Sequence, residues 1–386
     1  MSRASGKKTQ ARANEPLSLS LPPVEVAERY KHLTELLYST GLDGLVVTNM
    51  TNIRYLSGFS GSAAVMVCTN SFENSGLLIT DGRYRTQAEL ELREHGSEVD
   101  IFIGNATEQR EALCKKVSNM TKIGLEAESI TWGRAEEWKQ LFDGVETVPT
   151  TNLVENLRRK KDSSETARIA RAAEIADTAL TTVLGELSPG MTELQVALEI
   201  DFAMRELGAS RSSFETIVAS GPNGALPHAQ PSNREMLPGE LVVMDFGAVV
   251  DGYCSDMTRT VCLGSPSTDE LARMLNVVKK SQQAGIDTVR AGRSAKEVDR
   301  ACRTVIEEAG WGPYFVHATG HGVGLDIHEL PGIGPTSDDL LEEGWVVTVE
   351  PGVYLPGIGG VRIEDTVVVT KDGCTPLTKS KKDLTV

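Results

Sequence analysis

The chain contains one arrangement twice, and that repeat limits what it can fold into. Gly239-Glu240-Leu241-Val242-Val243-Met244-Asp245-Phe246-Gly247 parallels Gly344-Trp345-Val346-Val347-Thr348-Val349-Glu350-Pro351-Gly352, each with an acid six residues after one glycine and two before another. The apolar runs between the glycines are strand-like, so each half delivers a carboxylate at the end of a buried strand. The echo continues. Asp256-Met257-Thr258-Arg259-Thr260-Val261 parallels Glu364-Asp365-Thr366-Val367-Val368-Val369, which gives each half a second acid on a returning strand. A lone strand-end acid is commonly a solvated turn residue. Two acids in each of two matching, valine-rich halves point instead to one shared internal site.

An ionised carboxylate left unpaired among apolar side chains costs roughly several kcal/mol or more, so something positive must sit among Asp245, Asp256, Glu350 and Glu364. Their total charge of −4 is what two divalent cations neutralise, and four carboxylates with one imidazole suit hard or borderline ions. The imidazole is supplied by His321 in Gly320-His321-Gly322-Val323-Gly324, where glycines let the backbone approach closely and leave the ring uncrowded.

At 386 residues the chain exceeds the roughly 100–200 residues of a usual domain, so two domains are expected. A tail is expected over 1–22, where the basic residues Arg3, Lys7, Lys8 and Arg12 occur without the apolar run of a secretory signal; an organelle-targeting peptide is the alternative. An α/β domain is expected over 23–155. Its first helix places Ala27, Tyr30, Leu33, Leu36 and Leu37 on one stripe before Gly41, strands follow near 44–48, 63–67 and 77–80, and helical stretches cover 84–94 and 107–119. The charged connector 158–162 then leads to a domain over 156–386, opened by the helix-capping pair Asp162 and Glu165, with further helices over 192–207 and 268–290.

A formal charge of −15 repels phosphate backbones and argues against nucleic acid. No apolar run approaches the roughly 20 residues of a membrane-spanning helix. The six cysteines are scattered without close C-x-x-C pairs, which suits a reducing, cytoplasmic compartment.

Along nearly its whole length the sequence resembles the pita-bread metallopeptidases, in particular the Xaa-Pro aminopeptidase and prolidase branch. In the C-terminal domain the resemblance rests on Met244-Asp245-Phe246-Gly247, on 252–260 around Asp256, on His317-Ala318-Thr319-Gly320-His321-Gly322-Val323-Gly324, on His328-Glu329, on Val349-Glu350-Pro351-Gly352 and on Arg362-Ile363-Glu364-Asp365. In the N-terminal domain, 52–62 and Thr80-Asp81-Gly82-Arg83-Tyr84 look like the creatinase-type domain of the same branch. The resemblance implies an α/β N-terminal domain followed by an α+β pita-bread domain with a pseudo-twofold internal repeat.

It further implies that Asp245 ligates one metal, that His321 and Glu350 ligate the other, and that Asp256 and Glu364 bridge them. His228, His317, His328, Tyr354 and Arg362 become residues around the substrate. Manganese is the family expectation, with cobalt, iron or zinc also acceptable to these ligands, and a homodimer is the expected assembly. Two bridged ions can activate a water and polarise a peptide carbonyl. Glu350 is then the candidate proton shuttle, and His228 and His328 stabilise the oxyanion or leaving group. Arg362 lies two residues before Glu364, and strand alternation predicts that it shares a face with that bridging acid and keeps it ionised. The implied substrate is a peptide or dipeptide with proline second. The competing readings are a dipeptide-only enzyme, an aminopeptidase of other specificity, and a catalytically silent peptidase-like binding protein.

Overall fold

A computed structural model describes residues 21–71 and 76–386. Of the tail expected over 1–22, residues 1–20 lie outside the described residues, while the Pro22 carbonyl accepts a hydrogen bond from Arg168 at 2.8 Å. The first helix, α1 (Ala27–Thr40), buries Leu33 and Leu37 from the expected stripe and stops at Gly41. Strands β1 (Gly44–Val47), β2 (Ala64–Thr69), β3 (Leu77–Thr80), β4 (Asp100–Ile103), β5 (Lys122–Glu126) and β6 (Glu146–Thr150) form one sheet in the order β4-β3-β2-β1-β5-β6.

Alternation along β1 feeds two different cores, because neighbouring strand residues point to opposite faces. Val46 packs with Leu113, Val117, Trp138 and Phe142 from helices on one side. Leu45 and Val47 join a core that continues into the second half of the chain through Ile169, Ala173, Tyr253, Val323 and Val346. The six-stranded sheet is therefore cemented to the second domain by apolar contact rather than tethered to it.

The second domain opens with α2 (Ser163–Leu184), whose capping box forms as expected: Asp162 accepts from the Ser164 and Glu165 amides at 2.8 and 2.9 Å, and Glu165 accepts from the Asp162 amide at 3.1 Å. Helices α3 (Glu193–Glu206) and α4 (Asp269–Thr288) lie inside the other two expected stretches. A fourth, α5 (Ala295–Glu308), was not anticipated, although Ala295, Val298, Cys302 and Ile306 fall at helical spacing and are all buried.

The duplicated frame becomes two antiparallel ladders. In the first, β7 (Ile217–Ser220) and β9 (Met257–Cys262) flank β8 (Leu241–Phe246). In the second, β10 (Gly320–Gly322) pairs with β11 (Glu329–Ile333) and with β12 (Val346–Val349), and the hairpin β13 (Gly352–Leu355) and β14 (Gly359–Arg362) precedes β15 (Asp365–Val369), the other partner of β12. Asp245 faces Thr258 across the first ladder, whereas Thr348, two residues before Glu350, faces Thr366, the counterpart of Thr258, across the second. The two halves thus differ in register by two residues. A shift of two leaves every side chain on its original face, so the acids still point to one side.

Arg259, 1 % exposed, joins the halves. Its guanidinium donates to the Thr258 carbonyl at 2.9 Å, to the Glu364 carbonyl, and to Asp365 at 2.7 Å.

The charged connector is not a solvated linker. Arg158 and Lys161 are 3 % and 5 % exposed. Arg158 donates to Asn52 at 2.8 Å and to Asp326 at 2.7 Å, and it also reaches Glu329, whose second oxygen takes Lys161 at 2.8 Å. Burial alone would raise the Glu329 carboxyl, but Lys161 and Arg158 outweigh it and hold it at about 2.

A depressed folded-state pKa means stability that is complete above the ordinary value of 4.5 and lost as the pH falls towards about 2. Replacing Glu329 by Gln leaves buried Lys161 without its carboxylate and Arg158 with Asp326 alone, and we expect a loss of about 3 kcal/mol or more at neutral pH. Denaturant unfolding at pH 7 and at pH 3 measures both: the gap between wild type and Glu329→Gln should narrow at the lower pH.

Candidate metal centre

The five residues that the repeat and the glycine loop singled out meet at the floor of one cavity of about 550 Å³. Asp245 sits near the end of β8, Asp256 just ahead of β9, Glu350 just past β12 and Glu364 just ahead of β15. Each acid lies where a strand begins or ends, so its side chain leaves the ladder and turns inward. His321 occupies the middle of β10, the strand squeezed between β11 and β12. A Cβ on Gly320 would stand 2.1 Å from the Thr348 carbonyl oxygen, and one on Gly322 would stand 2.3 Å from that of Leu330, so no larger residue fits on either side of the histidine.

The ring of His321 is oriented by its own backbone. Its Nδ1 lies 3.0 Å from the Gly322 carbonyl and donates to it, which leaves the Nε2 lone pair free. That nitrogen is 3.5 Å from Asp256 Oδ2 and 3.4 Å from Glu350 Oε1. Asp256, His321 and Glu364 each offer a ligand atom within 4.8 Å of the others.

Two carboxylate oxygens, Asp245 Oδ1 and Glu364 Oε1, are buried and have no hydrogen-bond partner. Buried polar atoms are nearly always satisfied, so orphaned acceptors on two residues that line one cavity call for a cation. Their sister oxygens are accounted for: Asp245 Oδ2 accepts from Arg362 at 2.5 Å and Glu364 Oε2 from Thr258 at 2.8 Å. The residues present therefore fit divalent metal ions.

The electrostatics agree. Burial, followed by the repulsion of Glu364, Asp245 and Glu350, pushes Asp256 well above the usual carboxylate range. Burial and then Glu350 and Asp245 do the same to Glu364. Glu350 is pushed up to about 8 by burial, with Asp245 adding and Arg362 opposing. Burial also lowers His321, which favours the neutral imidazole that a metal needs.

Around this floor His228, His317, His328 and Arg362 line the cavity wall. The rings of His321 and His328 stand edge to face, with centroids 4.4 Å apart. Tyr354 is placed behind the wall: it is 4 % exposed, and its hydroxyl is 2.8 Å from His317 Nε2 and accepts from Arg362 at 2.8 Å. The expected partner of Arg362 also differs. The strand ends at Arg362, and the chain turns before Glu364, so the guanidinium pairs with Asp245, donates to Thr258 at 3.0 Å and leaves Glu364 to the Thr258 hydroxyl.

Several supporting residues escaped the sequence reading. Thr348 donates to Glu350 at 3.2 Å and accepts from the His321 amide at 3.0 Å. Its spacing of two from Glu350, like that of Thr258 from Asp256, was a readable signal, because strand alternation puts both on the acids' face. Arg303 of α5 donates to the carbonyls of Phe315 and His317, both at 2.9 Å, and so shapes the loop that leads to His321. Nothing local marks that role.

A carboxylate and imidazole cage in a duplicated α+β domain, backed by a separate α/β domain, defines a metallopeptidase of the pita-bread fold. Residues 167–371 match metallopeptidase family M24, and residues 29–160 match the creatinase/prolidase N-terminal domain. The chain belongs to metallopeptidase family M24. It is 41 % identical over 358 residues to the uncharacterized peptidase YqhT of Bacillus subtilis, which covers 93 % of this chain and 99 % of that protein. Among solved structures it is similar to an Xaa-Pro dipeptidase from Bacillus anthracis, with a TM-score of 0.89 and 40 % identity over 94 % of this chain and 100 % of that one. It is also similar to an X-Pro aminopeptidase from Thermotoga maritima, with a TM-score of 0.82 and 34 % identity over 90 % and 98 % of the two chains.

Because burial and mutual repulsion push Asp256, Glu364 and Glu350 up, the metal-free site holds protons at neutral pH that cations must displace. Titrating metal-free protein with Mn2+ in buffers of different ionisation enthalpy should show proton release at pH 7, and affinity that rises as the pH approaches 8. Binding with no proton release would contradict the buried, protonated state of these carboxyls.

Proposed function

We propose that this metallopeptidase hydrolyses the bond between an N-terminal residue and a following proline, using two divalent ions. The observation that carries the reading is the convergence of four carboxylates and one free imidazole nitrogen, two oxygens of which are orphaned, beneath a cavity walled by histidines. Asp245 would hold one ion, His321 and Glu350 the other, and Asp256 and Glu364 would lie between them, with Mn2+ the preferred metal. When bound, such a pair supplies an activated water and polarises the scissile carbonyl.

The chain's own residues do the rest. Glu350, steadied by the Thr348 hydroxyl at 3.2 Å, accepts the proton of the attacking water and passes it to the leaving nitrogen. His228 and His328 are exposed on the cavity wall, and His328 is kept below the ordinary imidazole value by burial and by His321. A ring N–H there can donate to the developing oxyanion or the leaving group. Arg362 pairs with Asp245 and, through the Tyr354 hydroxyl, steadies His317.

Specificity for proline follows from the names of the relatives together with the chemistry of the bond. A proline amide has no N–H to pair with an extended strand, and its ring fixes φ, so it needs a shaped apolar recess. Phe214, Ile217 and Ile327 on the cavity wall offer one. The six cysteines are unpaired, which supports residence in the cytoplasm, and no helix among the described residues is long and apolar enough to cross a membrane. A homodimer is the assembly proposed. The intact ligand set speaks against a silent binding module.

Glu350→Gln should lower kcat on an Xaa-Pro dipeptide and on an Xaa-Pro tripeptide by about 10²- to 10⁴-fold while the protein stays folded; unchanged turnover with unchanged metal content would reject the role of Glu350. The ratio of the two substrates in the wild type separates dipeptidase from aminopeptidase activity. For His321→Ala, elemental analysis should find one ion per chain lost, and retention of both would count against its assignment as a ligand.

A further inference from the structure

The cavity wall that presents His228 belongs to a segment, 221–231, without any long β-ladder of its own. Both ends of this segment are held by one side chain. Glu193, the first residue of α3, is fully buried. Its Oε1 accepts from the Ser220 amide at 2.7 Å and from the Ser220 hydroxyl at 2.8 Å, at the entrance to the segment. Its Oε2 accepts from the Ser232 hydroxyl at 2.6 Å and from the Ser232 amide at 3.2 Å, at the exit. The Asn223 side-chain amide reaches both oxygens, at 3.1 and 3.0 Å.

Between these pins the segment touches the site in two further places. A Cβ on Gly360 would stand 1.9 Å from the Gly224 carbonyl oxygen, so the segment lies backbone to backbone on β14, the strand that ends in Arg362. The Pro227 carbonyl then accepts from Arg362 itself at 3.1 Å. His228 follows directly, so its backbone is located by Glu193 at the segment ends and by Arg362 at the tip.

We propose that Glu193 is a positioning residue for substrate binding: a buried carboxylate clasp that closes 221–231 and sets the reach of His228 into the cavity. The inference rests on the reading of His228 as a substrate contact. The carboxylate is required because donors arrive at both oxygens. A glutamine would set its own N–H2 against a backbone amide and free one end of the segment, whereas removal of the Ser232 hydroxyl weakens only the exit.

The test is a double-mutant cycle with His228→Ala on an Xaa-Pro tripeptide. We expect Glu193→Gln to lower kcat/KM by about 100-fold, mostly through KM and with two ions still bound, and Ser232→Ala to lower it by about tenfold, effects of the size that misplacing a substrate-contacting group produces. Ser232→Thr, which keeps the hydroxyl, should behave as wild type. In the His228→Ala background neither Glu193→Gln nor Ser232→Ala should cost more, because residues that act through one contact are not additive. Full additivity, or wild-type kcat/KM for a folded Glu193→Gln, would overturn the clasp; if that variant does not fold, the Ser232→Ala cycle decides alone. If the wild type cleaves no Xaa-Pro peptide, the reading of the site fails instead, and protease cleavage within 221–231 becomes the measure: faster cleavage in Ser232→Ala supports the clasp and an unchanged rate overturns it.

Discussion

Mutual repulsion among four carboxylates, held together where water is scarce, is the constraint around which this protein is arranged. Asp256 and Glu364 are 4 % and 1 % exposed, and Asp245 and Glu350 stand beside them. The protein brings only partial compensation to this cluster. Burial lowers the His321 imidazole, and Arg362, the one guanidinium among the described residues of the cavity wall, is shared among Asp245, Thr258, Tyr354 and the Pro227 carbonyl. The uncompensated charge appears as carboxyls that cling to protons and as two oxygens without donors. Divalent ions would relieve both at once, because the charge that raises the carboxyls is the same charge that attracts a cation.

Holding such a cluster together demands a rigid frame. Arg259 spends its donors on the carbonyls of Thr258, Glu364, Ser380 and Lys381 and on Asp365 rather than on the carboxylates of the cavity, so that it locks the two ladders without neutralising the charge gathered there. Asp365, next to Glu364 in sequence, is filled by Arg259, Gln282, Thr378 and Lys382. Adjacent strand residues face opposite ways, and this alternation separates an acid that serves the frame from one that serves the site.

Among the described residues the cavity wall is drawn from 214–364, outside the N-terminal domain. That domain's influence is exerted from behind. The shared core passes from β1 through α2 to Val323 and Val346, next to the strands that bear His321 and Glu350, and the cluster of Arg158, Lys161, Asp326 and Glu329 fastens the junction one residue from His328. Asp251, in the turn between the paired strands Ala248–Val250 and Tyr253–Cys254 of the first half, takes Arg54 of one domain and Arg168 of the other, so this hairpin and the hairpin β13–β14 serve different ends. One braces the domains together, and the other carries Tyr354 and Arg362 to the site.

What could be read from residues alone was whatever depends on local spacing. Helix α1 and its stop, the capping box at Asp162, the strand character of 241–246 and 346–349, and the equivalence of Asp245 with Glu350 and of Asp256 with Glu364 all follow from periodicities of 3.6 and 2 and from glycine frames. The charge argument needed only the count of acids. Pairings between distant segments were not legible: that Arg362 meets Asp245, 117 residues away, that Tyr354 lies behind His317 rather than on the wall, that Arg158 and Lys161 are buried, and that Glu193 grips Ser220 and Ser232. These depend on strand register, on where β14 ends and on how α3 meets the following loop, and such quantities are decided by the packing of the whole core. The sequence determined that four acids stand at the ends of two matching strand pairs and that a glycine loop offers an imidazole; tertiary structure decided which neighbours orient each of them, because periodicity governs the face a side chain takes and only packing brings two faces together.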